Sequence, residues 1–132
     1  MNWEPLLAAA IGARSHSHSP YSRFAVGAAD ETASGEIFGG ANVENRSFGV
    51  TICAERSAFA AAVSAGHRKF RAVAVVTSTS PPSPPCGLCR ETMTEFCAPE
   101  TPIGLFNLEG DRRVVSLGEL FPEPFVFPAG ET

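Results

Sequence analysis

Cys53-Ala54-Glu55-Arg56, read together with Pro85-Cys86-Gly87-Leu88-Cys89-Arg90, decides how the rest of the chain is interpreted. Cys86 and Cys89 form a C-x-x-C pair, with Pro85 fixing the approach and Gly87 allowing the tight turn that a two-thiolate chelate needs. Cys53 offers a third sulfur from upstream. Three cysteines suit a zinc ion, and three protein ligands leave a position open, as in catalytic rather than structural sites. Glu55 stands two residues past Cys53, near enough to the metal to take a proton from a water it polarises. Both cysteine groups precede expected helices, whose free N–H groups and positive dipole ends favour thiolate over thiol.

Outward from these two stretches the pattern is α/β. Small residues at Ala54, Ser57, Ala58, Ala61, Ala62 and Ala65, stopped by Gly66, predict a close-packing helix after Cys53. Leu88 to Cys97 predicts a second core helix with Leu88, Thr92, Met93 and Phe96 on one face. Between them, Ala72 to Thr77 is an unbroken apolar run of strand length, read as a central buried strand. Ser78 to Pro85 is too rich in proline to be helical and delivers the chain to Cys86. Trp3 to Ala13 carries a helical stripe with Asn2 as its cap. Phe24 to Ala29 and Glu36 to Gly40 predict a hairpin around Ser34-Gly35. Pro102 to Asn107 and Arg113 to Ser116 are short strands around Glu109-Gly110-Asp111, and Leu117 to Phe121 forms one helical turn. The expected fold is an α/β sandwich around a mixed sheet, with residues 1–132 as one unit.

The remaining candidates follow from spacing. Cys97 lies about two helical turns past Cys89, roughly 12 Å away, so it cannot close the metal site and is expected in the core. In Ala41-Asn42-Val43-Glu44-Asn45, Asn42 and Glu44 project to one side of an extended segment. An amide and a carboxylate placed so suit hydroxyl groups. Arg56 and Arg90 each follow a cysteine motif. Three thiolates and Zn2+ sum to one negative charge, which opposes ionisation of water, and a guanidinium donating to sulfur relieves it. That role is assigned to Arg56, and Arg90 stays open between it and ion pairing. His16 and His18 belong to a solvated loop.

Bulk composition narrows the function. The chain has 132 residues, 44% of them hydrophobic, with 10 basic and 14 acidic side chains and a net charge of −4. Lys69 is the single lysine, and nothing resembles a basic footprint for a polynucleotide. No apolar stretch approaches the roughly 20 residues of a membrane span, and the N-terminus lacks a signal peptide's basic region. A cytoplasmic protein is expected, its four cysteines serving as metal ligands or buried thiols.

Taken together, Tyr21-Ser-Arg-Phe-Ala-Val-Gly-Ala-Ala, Gly40-Ala-Asn-Val-Glu-Asn, Thr51-Ile-Cys-Ala-Glu-Arg-Ser-Ala, Pro85-Cys-Gly-Leu-Cys-Arg and Glu119-Leu-Phe-Pro resemble the small homotetrameric zinc-dependent cytidine deaminases. The blocks run in family order from Tyr21 to about Phe125. The resemblance implies a three-layer α-β-α sandwich with a five-stranded mixed sheet. It implies one Zn2+ per subunit on Cys53, Cys86 and Cys89, with Glu55 as proton shuttle. Phe24, Asn42, Glu44 and Ala54 are implied to hold the nucleoside, and Phe125 to reach a neighbouring subunit's site in a homotetramer. Hydrolytic deamination of cytidine and 2'-deoxycytidine in pyrimidine salvage is the implied activity. Blasticidin S deaminases share the zinc motif but lack the Asn-x-Glu pair. Two departures stand out: Phe48 where tyrosine is common, and Glu91 where glutamine usually follows Cys-Arg.

Overall fold

A computed structural model describes residues 1–128; the last four residues of the expected 1–132 unit lie outside the described residues. The chain runs α1 (Glu4–Arg14), β1 (Gly27–Thr32), β2 (Ile37–Ala41), a 3-10 turn (Phe48–Val50), α2 (Ala54–Ser64), β3 (Phe70–Thr77), α3 (Gly87–Phe96), β4 (Pro102–Asn107), β5 (Arg112–Ser116) and α4 (Leu117–Leu120). Five strands form one mixed sheet in the order β2-β1-β3-β4-β5. Of the neighbouring strands in this sheet, β3 and β4 pair in parallel, with Val73 opposite Ile103 and Thr77 opposite Asn107, and the others antiparallel. A parallel pair needs a long crossover, and α3 supplies it.

The apolar run of β3 is central because both of its faces are covered. Val73 and Val75 meet Phe59 and Ala62 of α2, Met93 of α3, and Ile103 and Leu105 of β4. Ala72, Ala74 and Val76 face Trp3, Leu6 and Ala10 of α1 on the other side. Helices thus lie on both faces, giving the three layers that the sequence led us to expect. Phe59 stacks on Phe96 at 5.8 Å and meets Phe70 edge-on at 4.8 Å, locking α2, α3 and β3 together. Gly40 lets β2 run against α2: a Cβ there would lie 2.3 Å from the Ala58 nitrogen and 2.7 Å from the Ala54 carbonyl oxygen. That contact seats the start of α2 on the sheet beside Asn42.

Several local expectations are corrected. The first strand begins at Gly27 and runs on through Asp30 to Thr32. Its polar end looks like loop in sequence, yet the sheet takes it up. Asn2 is not the N-cap of α1; Trp3 holds that place without a side-chain bond, although Asn2 Oδ1 accepts the Glu4 N–H at 3.2 Å. Leu88 is not on the core face of α3, being 64% exposed. Cys89 and Met93 are the buried pair. Turning Cys89 inward rotates Leu88, about 100° away around the helix, toward solvent.

Candidate active site

Two helix starts and one strand end converge here. Cys53 is the N-cap of α2 and Cys86 the N-cap of α3, with Cys89 in the first turn. Both caps are extended in backbone conformation, so each chain enters its helix with the cysteine leading. The sulfurs of Cys53 and Cys86 are 3.5 Å apart and those of Cys86 and Cys89 3.6 Å apart. All three lie within 4.8 Å of one another. Zinc–sulfur bonds of about 2.3 Å in a tetrahedron place sulfurs ~3.8 Å apart, so the cluster fits zinc in both spacing and donor type. Chiefly through the neighbouring Cys89 thiol, with Cys86 and Arg56 adding to it, Cys53 is held down to about 5. Cys89 is pushed the opposite way by the same contact with Cys53 and by burial. Cys53 is therefore the sulfur held furthest toward the thiolate form.

Glu55 is 4% exposed, one residue into α2 from Cys53's neighbour Ala54. Burial, with the Cys53 thiolate adding to it, pushes its carboxyl up to about 7. A group poised there can both accept and return a proton at neutral pH. Arg56 Nη2 donates to the Thr51 carbonyl at 2.9 Å and stands 4.0 Å from the Cys53 sulfur. The contact with sulfur is long and mainly electrostatic. Arg90 turns away from the sulfurs: its Nε donates to the Pro85 carbonyl at 2.8 Å and its Nη1 to the Leu120 carbonyl at 2.7 Å. It braces the proline turn before Cys86 against the end of α4.

A cleft of about 190 Å3 opens over the sulfurs, lined by Phe24, Asn42, Cys53, Ala54, Glu55 and Cys86 among others. Thr51 lines this cleft and also an adjoining hollow bounded by Tyr21, Ser22, Glu44 and Phe48. Asn42 lines the cleft and Glu44 the adjoining hollow, with Thr51 shared between them. Between them Val43 pairs with Ile52. Glu44 is clamped: the N–H groups of Tyr21 and Ser22 donate to Oε1 at 3.0 and 3.1 Å, and the Ser22 hydroxyl to Oε2. The Ser22 hydroxyl, foremost, holds its carboxyl below the usual range.

Phe125 does not reach this cleft within its own chain. It lies against Phe127 at 5.1 Å, over a hollow beside α3 that also includes Glu91 and Phe96. Cys97 is 9% exposed in the core, outside the sulfur cluster. Sequence reasoning missed the Tyr21–Ser22 clamp, the brace by Arg90 and the burial of Asp30. A serine-rich loop has no periodicity that would single out which hydroxyls turn inward.

Relatives carry the same arrangement of chain. Residues 2–105 match the family described as the cytidine and deoxycytidylate deaminase zinc-binding region. A cytidine deaminase of Halalkalibacterium halodurans is 46% identical over 125 residues, covering 95% of each chain. The crystal structure of a cytidine deaminase from Burkholderia pseudomallei superposes with a TM-score of 0.91 at 46% identity, over 95% of this chain and all of that one. That from Mycobacterium tuberculosis gives 0.84 at 36% identity, over 96% and 99%. With its zinc-compatible sulfurs set beside a buried glutamate on this fold, the chain belongs to the cytidine and deoxycytidylate deaminase family.

Proposed function

We propose that this protein hydrolyses cytidine and 2'-deoxycytidine to uridine and 2'-deoxyuridine, releasing ammonia. The observation that carries the reading is the buried Glu55 beside three clustered sulfurs, in a cleft that Asn42 also lines. Cys53, Cys86 and Cys89 hold one Zn2+. Bound there, zinc supplies Lewis acidity that brings water within reach of ionisation near neutral pH. Glu55 accepts a proton from the attacking water as its oxygen adds to C4, and delivers that proton to ring N3. It then carries the second water proton to the departing amino group, so that ammonia leaves and the C4 carbonyl forms. Arg56 offsets the negative charge of the thiolates. Phe24, 36% exposed at the cleft, offers its ring to the base, and Ala54 forms the floor. Asn42 and Glu44 take the sugar.

Residues 1–132 act as one deaminase domain in this reading, working in the cytoplasm in pyrimidine salvage. Among the described residues no helix is long and apolar enough to cross a membrane. A homotetramer with Phe125 completing a neighbour's site is supported by the exposure of Phe125 and Phe127, 71% and 84%. The direct test is the fall in ultraviolet absorbance when purified protein meets cytidine. Glu55→Gln is expected to keep zinc and fold while turnover drops roughly a hundred- to ten-thousandfold. Near-normal turnover in that variant sinks the assignment.

A further inference from the structure

Asn42 is 8% exposed, and its amide has four hydrogen-bonding places, two acceptors on Oδ1 and two donors on Nδ2. The Val26 N–H lies 3.0 Å from one amide terminus, which must therefore be the oxygen. The Phe24 carbonyl lies 2.8 Å from the other, which must be the nitrogen. Backbone groups alone thus set the orientation of the amide. Ser17 then places its hydroxyl 2.5 Å from Oδ1 and fills the second acceptor place. Its other neighbours, Ser19 Oγ at 3.1 Å and the Asn42 backbone carbonyl at 3.4 Å, are farther off. One N–H of Asn42 is left for a ligand.

Glu44 is the complement. Both places on Oε1 are taken by the Tyr21 and Ser22 N–H groups, and Oε2 receives the Ser22 hydroxyl. What remains is acceptor capacity on Oε2. A ligand group that accepts from Asn42 and donates to Glu44 is a hydroxyl, since a carbonyl cannot donate and an ammonium cannot accept.

We propose that Ser17 is a positioning residue: by occupying Asn42 Oδ1 it makes the amide a donor only, so that the Asn42–Glu44 pair selects a sugar hydroxyl. Ser17 does not line the cleft and acts through Asn42. Removing its hydroxyl leaves Oδ1 one bond short and weakens the hold on the amide whose free N–H meets the incoming hydroxyl. The inference rests on the deaminase reading above and concerns its sugar subsite.

The test uses zinc-loaded wild type, Ser17→Ala and Ser17→Thr. Each is assayed for turnover of cytidine and for competitive inhibition by 2',3'-dideoxycytidine, which lacks both secondary sugar hydroxyls. Ser17→Ala is expected to raise KM for cytidine roughly tenfold, the scale of one hydrogen bond. Its kcat should stay within about twofold and its Ki for the dideoxynucleoside should not move. Ser17→Thr, which keeps the hydroxyl, should match wild type on both ligands. An equal loss on both ligands, or no loss on either, overturns the role of Ser17. Absence of cytidine turnover by wild type overturns the deaminase reading itself, a separate and recognisable failure.

Discussion

Replacing Asp30 with asparagine is expected to stabilise the fold, and by an amount that grows with pH. Asp30 sits in β1 with no exposed surface, in register with Phe38 on one side and Val73 on the other. Among the described residues neither carboxylate oxygen has a hydrogen-bond partner. Burial pushes the group from 3.8 up to about 8. The sign follows from proton counting. Below pH 3.8 both folded and unfolded chains hold the proton, and ionisation takes nothing from stability. Between 3.8 and 8 the unfolded chain loses its proton while the folded one keeps it, so stability falls as pH rises. Above 8 both are ionised and the loss is complete.

At about 1.4 kcal/mol per pH unit, the loss is about 4 kcal/mol at pH 7 and about 6 kcal/mol when complete. That is a large share of the 5–15 kcal/mol typical of a domain. Asparagine keeps the size and the unpaired polar end but cannot ionise. The assay is urea unfolding of zinc-loaded protein, followed through Trp3, the single tryptophan, buried edge-on to Phe106 at 5.7 Å. The stability difference between Asp30→Asn and wild type should widen by about 2 kcal/mol from pH 6 to pH 8. A difference that stays constant, or narrows, refutes the reasoning.

Arg90→Ala removes the two hydrogen bonds that hold the Pro85 carbonyl and the end of α4. Zinc affinity in chelator competition should weaken about 10–100-fold, as when the outer partners of a metal site are lost. Unchanged affinity would show that the proline turn holds its shape unaided. Cys97→Ala should leave the zinc content per chain as it is while lowering stability by about 1 kcal/mol, because Cys97 packs in the core away from the sulfur cluster. Metal analysis and a denaturation curve read the two effects separately.

What the amino-acid sequence determined by itself was the chemistry carried by short spacings. C-x-x-C with its proline and glycine, Cys-x-Glu at a helix start, and Asn-x-Glu on an extended segment each place their side chains through local backbone geometry. The three sulfurs do come together, within 4.8 Å of one another. So too β3 is central, its apolar run covered on both faces. Leu88 faces solvent although its hydrophobicity predicts the core, because Cys89, the next residue on α3, turns inward.

Tertiary structure decided the rest. Parallel pairing of β3 with β4 makes α3 a crossover, and the close passage of β2 over α2 at Gly40 seats the other cysteine loop beside it. No local pattern encodes that meeting. The same holds for the two backbone bonds that orient the Asn42 amide, the clamp on Glu44, and the burial of Asp30. Hydrogen bonding and desolvation depend on neighbours distant in the chain, so Asp30, just past the strand expected to end at Ala29, becomes a core residue whose carboxyl is pushed up by burial once the sheet closes over it.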